Sequence, residues 1–543
     1  MYDYIIAGGG SAGCVLANRL SADGRYRVCL LEAGPRDTNP FIHVPAGIIP
    51  VIRSKTLNWH YWTAPDPGCD HRPLYWPRGR TLGGSSAINA MCYVRGNAWD
   101  YDHWAALGCT GWSYREVLPL FRRMEHFEPG ADAYHGEGGP LNVAPARFMN
   151  PLMKAFVAAA QEAGHAPNGD FNGARQDGVG YYHVMQKNGE RCSNARAYLR
   201  PAEGRPNLTV LTGVHVTRVL FEGQRAVGVR YEQGGLYRDV FAQREVVLSA
   251  GAIGSPQLLL LSGVGPRAEL EHHGIAPVKI LPGVGENLQD HLDIHITMLE
   301  KTRHAVSFHP RAWLRSLLDL FRYVFGRRGE FTSNYAQAGG FIKSDPAQPI
   351  PDLQWHFVPF IFSNHGHDLK PVFRHFAFTL MTCFLRPESR GRIRLASTDP
   401  HTAPLIEPRY LSTERDMDAL VQGFKQARKV LQQPALAPHT LREFEPGEAV
   451  QSDEDIRAYI RRRAETVYHP VGTCKMGVDA QAVVDPRLRV HGLRGLRVVD
   501  ASIMPTLVGG NTNAPTTMIA EYAAQMMLED AQQPQNQDLA EAA

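Results

Sequence analysis

Apolar positions along the chain fall into short blocks punctuated by glycine and proline. The run Tyr4-Ile5-Ile6-Ala7 has the length and residue types of a buried strand and ends in three glycines. Cys14-Val15-Leu16-Ala17 continues it as a helix, and Val28-Cys29-Leu30-Leu31 predicts a second strand ending at Glu32. A strand–helix–strand opening predicts an α/β fold with a parallel sheet. Buried-strand patterns return at 208–211, at 244–248 leading into Ser249-Ala250-Gly251, and at 496–500 ahead of a helix from about 516 to 528. Between about 296 and 454, alternation as in Leu353-Gln354-Trp355-His356-Phe357 predicts a mixed, largely antiparallel sheet. No repeat of solenoid period is present. The stretch 531–543, rich in Gln, Ala and acid, reads as disordered.

Composition narrows the partners. At 543 residues the chain exceeds one ordinary core, so two or more packed lobes are expected. A net charge of +3 offers no concentrated basic face for nucleic acid. Eight cysteines without a C-x-x-C pair argue against a zinc cluster and suit a reducing compartment. With no leader-like start and no apolar run near ~20 residues, the expected location is cytoplasmic. Peripheral attachment to the inner face of the cytoplasmic membrane is left open.

Gly8-Gly9-Gly10-Ser11-Ala12-Gly13 satisfies G-x-G-x-x-G between a strand and a helix. Gly8 suits the tight turn, Gly10 lets a pyrophosphate approach the backbone, and Gly13 allows helix and strand to pack closely. Phosphate then sits at the N-terminus of the helix that Ser11 and Ala12 open. Glu32, about 20 residues on, is placed to bind a ribose 2′-OH and disfavours the 2′-phosphate of NADP. Gly9 to Gly13 also fits the nucleophile elbow G-x-S-x-G, with Ser11 as nucleophile and His291, His469 and Asp500 as conceivable partners. That hydrolase reading leaves Glu32 unexplained.

Longer segments decide between these. Gly79-Arg80-Thr81-Leu82-Gly83-Gly84-Ser85-Ser86-Ala87-Ile88-Asn89, continuing through Tyr93-Val94-Arg95-Gly96, resembles the first signature of the glucose–methanol–choline (GMC) oxidoreductases. Gly251-Ala252-Ile253-Gly254-Ser255-Pro256-Gln257, running to Gly265, resembles the second. Segments 285–291, 468–474 and 499–515 are similar to further family elements, in family order. The resemblance implies a Rossmann-like FAD-binding domain assembled from 1–150, 190–295 and 455–530. It also implies a substrate domain from 151–189 and 296–454. Expected FAD contacts, besides the glycine turn and Glu32, are Ala33, Trp62, Arg80, Gly83, Ser86, Asn89, Ala90 and Met91. Val216 would lie at the adenine, and Ala250, Gly251, Asp500 and Ala501 at the pyrophosphate and ribityl chain. Asn511, Asn513, Ala514, Pro515 and Thr516 complete the set. Some family oxidases carry a flavin-linked histidine where this chain has Ile88, so non-covalent FAD is expected.

Oxidising an alcohol requires a base for the hydroxyl proton, and a neutral histidine suits that task. Among 23 histidines the resemblance singles out His469. It matches Asn513 to the second catalytic position, where an amide would orient and polarise the substrate oxygen. His291 is expected to be structural, and His365 and His367 to lie in a hydrated loop rather than at a metal. The alkanol and choline branches are the nearest in pattern. Gln337, where choline-type relatives carry Glu, favours an uncharged primary alcohol. Electrons are expected to pass to a quinone or another non-oxygen acceptor. Residues 313–325, with Arg311, Arg327 and Arg328 around them, have the spacing of a basic amphipathic helix that could lie on a membrane.

Overall fold

The computed structural model describes residues 1–361, 368 and 370–532. A strand needs a near-continuous apolar run when both faces of its sheet are covered, and strands 2–7 and 28–32 of the first seven-stranded sheet are built on such runs. Its order is 208–212, 28–32, 2–7, 236–248, 225–233, 215–222, with Leu496–Val498 added on 236–248. The strand Leu236–Leu248 changes partner along its length. Its first half pairs antiparallel with 228–233, and its second half pairs parallel with 4–7 and 496–498. Only its end, Val246-Val247-Leu248, is continuously apolar and fully buried, which is why only residues 244–248 stand out as a strand in the sequence.

Helix Ser11–Leu20 covers one face of this sheet and packs against helix Asn513–Gln532. The buried Glu521 of the latter accepts from Arg19 and Tyr198. Arg497 joins Glu245 to Asp530. Ala531 and Gln532 thus continue a helix, and the rest of the segment expected to be disordered lies outside the described residues.

The second seven-stranded sheet runs 440–445, 292–300, 377–384, 353–358, 338–342, 178–181, with Glu465–Thr466 beside Leu292–Glu300. Its pairings are antiparallel. Helices Pro151–Glu162 and Glu414–Leu431 cover one face, burying Ile294, Ile296, Leu353, Trp355, Leu380 and Phe424. The other face, which carries His356, Val358 and Met381, looks into the cavity described below. All eight cysteines are buried free thiols.

Charged side chains also tie the two regions together. Glu125, fully buried, pairs with Arg95 and with His135 Nδ1 at 3.0 Å, while His135 Nε2 lies 2.8 Å from Asp170. Phe127 stacks on the His135 ring at 3.8 Å. Burial opposes charging this imidazole, but its bonds to Asp170 and Glu125 prevail and raise its pKa to about 8. The folded value exceeds the ordinary 6.5. The stabilisation is therefore complete below pH 6.5 and is lost as pH rises through about 8, amounting to about 2 kcal/mol. Tm is expected to fall between pH 6.5 and 8.5, and His135→Gln to remove that component. A Tm equally pH-dependent in the variant would count against this assignment.

Helix Trp313–Gly326 is amphipathic, as its spacing predicts, but its apolar side faces outward. Leu314 is 71% and Phe325 74% exposed, and Trp313, Leu317, Leu318 and Phe321 are exposed with them. Asp319 and Tyr323 are the residues this helix buries. No helix among the described residues is long and apolar enough to cross a membrane.

Candidate active site

A cavity of about 430 Å³ runs from the glycine turn to the face of the second sheet. At one end, Gly8 adopts φ 110°, and a Cβ on Gly13 would lie 1.9 Å from the Gly8 carbonyl, which is why helix and strand can close together here. Gly10 caps helix Ser11–Leu20 without any side-chain cap, so the first-turn N–H groups point into the cavity unpaired by the helix. Glu32 is buried at the end of its strand. Its two oxygens accept from Gly9 N at 2.9 Å and Gly34 N at 2.8 Å, and burial raises its pKa to about 7 against those bonds. A carboxylate can accept about four bonds, which leaves capacity for ribose hydroxyls. Ala33 and Val216 line the same end.

Asp500 holds the middle. It accepts from Gly251 N at 2.9 Å, Ser255 Oγ at 2.5 Å and Ser502 N at 2.8 Å, joining strand Leu496–Val498 to the start of helix Gly251–Leu261. Ala250, Gly251, Ala501, Asn89, Ala90, Met91 and Thr516 line the cavity here, as does Ile88. Gly83 and Ser86 support this wall from behind. Gly83 N donates to Gly9 O, and Ser86 Oγ donates to Gly83 O. Arg80 lies over the Trp59 ring at 4.9 Å, and it is Trp59 that lines the cavity. Ala514 and Pro515 are buried in the last helix behind the lining.

Trp62 departs from expectation. In the two-residue strand Tyr61–Trp62 the alternation turns Tyr61 into the cavity and leaves Trp62 46% exposed against Tyr75, so Trp62 is not a lining residue.

The structure does not bring together the two residues expected to form the catalytic pair. His469 Nε2 meets Asn511 Nδ2 at 3.3 Å, whereas Asn513 donates to Ser11 Oγ at 2.9 Å. Asn513 begins a helix while Asn511 lies in the irregular segment before it, and the two side chains meet different partners. Asn513 Oδ1 is left buried without a partner on the cavity wall, as is Asn334 Oδ1. Ser11, bonded to an amide rather than to an imidazole, lacks the base a hydrolase would need.

His291 stands closer to His469 than expected, its Nδ1 3.0 Å from His469 Nδ1. His469 is 8% exposed, and its own N–H donates to Asp290 at 2.7 Å. Tyr468 before it has φ 68°, a left-handed geometry fixed in part by its N–H bond to Thr466. Burial drives the His469 pKa well below the ordinary imidazole value. His356, another imidazole on the cavity wall, is lowered to about 4 by burial.

Around His469 the chamber is walled by Tyr335, Val358, Phe360, Met381 and Val467, none of which its sequence context marks as functional. Among the described lining residues the only carboxylates are Glu32, at the glycine-turn end, and Asp500, in the middle. Gln337 faces away from it, and its amide donates to the Phe148 carbonyl. The residue at 337 therefore does not set the charge of the chamber. The described residues contain no metal-ligating cluster, and His365 and His367 lie outside them.

Uncapped N–H groups at the glycine turn, a carboxylate with spare acceptor capacity and the orphaned Asn513 oxygen fit a flavin adenine dinucleotide along this cavity. Comparison with known proteins agrees. Models of the GMC oxidoreductase family match residues 2–293 and 387–520. The chain is 53% identical over 535 residues to the alcohol dehydrogenase [acceptor] of Pseudomonas putida, covering 97% of this chain and 96% of that one. It is 45% identical to the mitochondrial choline dehydrogenase of Homo sapiens, covering 97% and 89%. The crystal structure of pyridoxine 4-oxidase from Mesorbium loti superposes with a TM-score of 0.87 at 33% identity, covering 97% and 99%. With both signature halves matched and the cofactor cavity formed between them, the chain belongs to the GMC oxidoreductases, a family of FAD flavoenzymes.

Proposed function

We propose that this enzyme oxidises uncharged primary alcohols, aliphatic or aromatic, to aldehydes with non-covalently held FAD. The observation that carries the reading is His469 Nε2 beside Asn511 in a largely apolar chamber, where the adjacent carboxylate, Asp290, is buried behind the lining and bonded to the His469 backbone. When bound, FAD supplies the hydride acceptor. His469 accepts the hydroxyl proton at Nε2. Asn511, its carbonyl oxygen held by Gln354 at 3.1 Å, offers its amide N–H to the substrate oxygen. A quaternary ammonium would find aromatic rings here but no carboxylate on the described chamber lining, which disfavours choline.

The test is anaerobic bleaching of the flavin by a panel including 1-octanol, benzyl alcohol and choline, followed by reoxidation with air or a soluble quinone. Bleaching by the uncharged alcohols and faster reoxidation by quinone are expected. Acid precipitation should leave the yellow colour in the supernatant. Faster bleaching by choline than by any uncharged alcohol would overturn the substrate assignment.

The acceptor we propose is a quinone reached from the membrane surface. The outward apolar face of Trp313–Gly326, with Arg311, Arg322, Arg327 and Arg328 exposed beside it, matches an anionic lipid surface in both hydrophobicity and charge. Co-sedimentation with phosphatidylglycerol vesicles is expected to weaken at high salt and to drop several-fold in Trp313→Ala/Phe325→Ala. Unchanged sedimentation of the double variant would reject this role for the helix.

A further inference from the structure

Two chains of hydrogen bonds meet at His469, and each starts at a backbone carbonyl of the second sheet region. A carbonyl can only accept, so each chain has a fixed direction.

The first starts at Leu385. His291 Nε2 lies 3.3 Å from the Leu385 oxygen and must carry the proton that this bond requires. Burial lowers the His291 pKa to about 3, so the ring is neutral and its Nδ1 holds only a lone pair. Facing that lone pair at 3.0 Å is His469 Nδ1, which must therefore bear the hydrogen. A neutral His469 protonated at Nδ1 has its lone pair at Nε2, on the cavity side.

The second starts at Trp355. Tyr182 donates its single hydroxyl proton to the Trp355 oxygen at 2.6 Å, so the hydroxyl oxygen accepts from Gln354 Nε2 at 3.1 Å. The same Gln354 nitrogen donates to Asn511 Oδ1 at 3.1 Å. That fixes the orientation of the Asn511 amide, with its NH₂ turned to His469 Nε2 at 3.3 Å. A donor there is compatible only with a lone pair on Nε2, so both chains demand the same tautomer.

We infer that His291 and Gln354 are positioning residues that together set the proton on His469 Nδ1 and the lone pair on Nε2, ready for the substrate hydroxyl. His291 lines no part of the cavity and touches no reacting atom; it acts through His469. Arg386, Arg78 and His356 are the other charged or titratable groups whose fields reach the two imidazoles. The catalytic consequence rests on the reading of His469 as the base, whereas the tautomer itself does not.

The direct test is ¹⁵N NMR of histidine-labelled holoenzyme, with the His469 resonances assigned by their loss in His469→Gln. A neutral Nδ1–H form is expected at pH 7. In His291→Leu the Nε2–H form should appear, and anaerobic turnover should fall at least ~10-fold with KM within about two-fold and FAD retained. His291→Asn, whose side-chain oxygen can accept the Nδ1 proton, should recover part of that loss. Gln354→Met should lower turnover in the same kcat-dominated way. An Nε2–H form in the unsubstituted enzyme overturns the inference whether or not the variants fold. So does His291→Leu with unchanged tautomer and turnover. If the tautomer is as described but His469→Gln keeps its turnover, the base assignment fails and the hydrogen-bond logic stands.

Discussion

Replacing His469 by alanine is expected to lower kcat by about 10²- to 10⁴-fold while FAD stays bound. The size follows from removing the group assigned to take the hydroxyl proton from a chamber otherwise walled by Tyr335, Val358, Phe360, Met381 and Val467. Cofactor retention follows from the location of the dinucleotide cradle at Gly8 to Ala12, Glu32 and Asp500, away from this side chain. Burial lowers the His469 pKa, and a base works only when deprotonated. The acidic limb of kcat/KM should therefore lie below pH 6.5, with no loss of rate between pH 7.5 and 6.5. Stopped-flow flavin reduction across that range measures both effects. Near-normal turnover of the variant would remove His469 from the mechanism.

A pair of asparagine variants should separate chemistry from cofactor binding. Asn511→Ala deletes the amide beside His469 Nε2 and is expected to slow flavin reduction by about 10²- to 10³-fold, the loss typical of one donor aimed at a developing oxyanion. Asn513→Ala deletes the bond to Ser11 and the orphaned oxygen on the wall, so it should chiefly weaken FAD retention. With FAD saturating, Asn513→Ala should reduce nearly as fast as the unsubstituted enzyme. The opposite ranking would return the catalytic position to residue 513.

That pair also shows where reading the sequence runs out. Runs such as 4–7 and 28–31 were legible because strands covered on both faces must be apolar throughout. The glycine turn was legible because close approach of backbone to backbone leaves room for nothing else. Asn511 and Asn513 differ only in which side of a helix start they occupy, and no periodicity two residues long can phase that. Trp62 fails for the same reason, in a strand too short to reveal its inward face. Gln337 is the neighbour of Ala336, which does line the cavity, so a shift of one residue reverses its meaning. The nearness of His291 to His469 is a product of closure over 178 positions and has no local signature.

The packing of helix Ser11–Leu20 on helix Asn513–Gln532 bears on how the protein is made. At about 5 to 20 residues per second, roughly 25 to 100 s separate the synthesis of these two helices. Through that interval the glycine turn has emerged, while Asp500 and the neighbour that buries its helix have not. A nascent chain therefore cannot assemble a complete dinucleotide cradle early and wait. Cofactor capture becomes one of the last events of biogenesis, and the short apolar N-terminal strands must be kept from mispairing until it occurs.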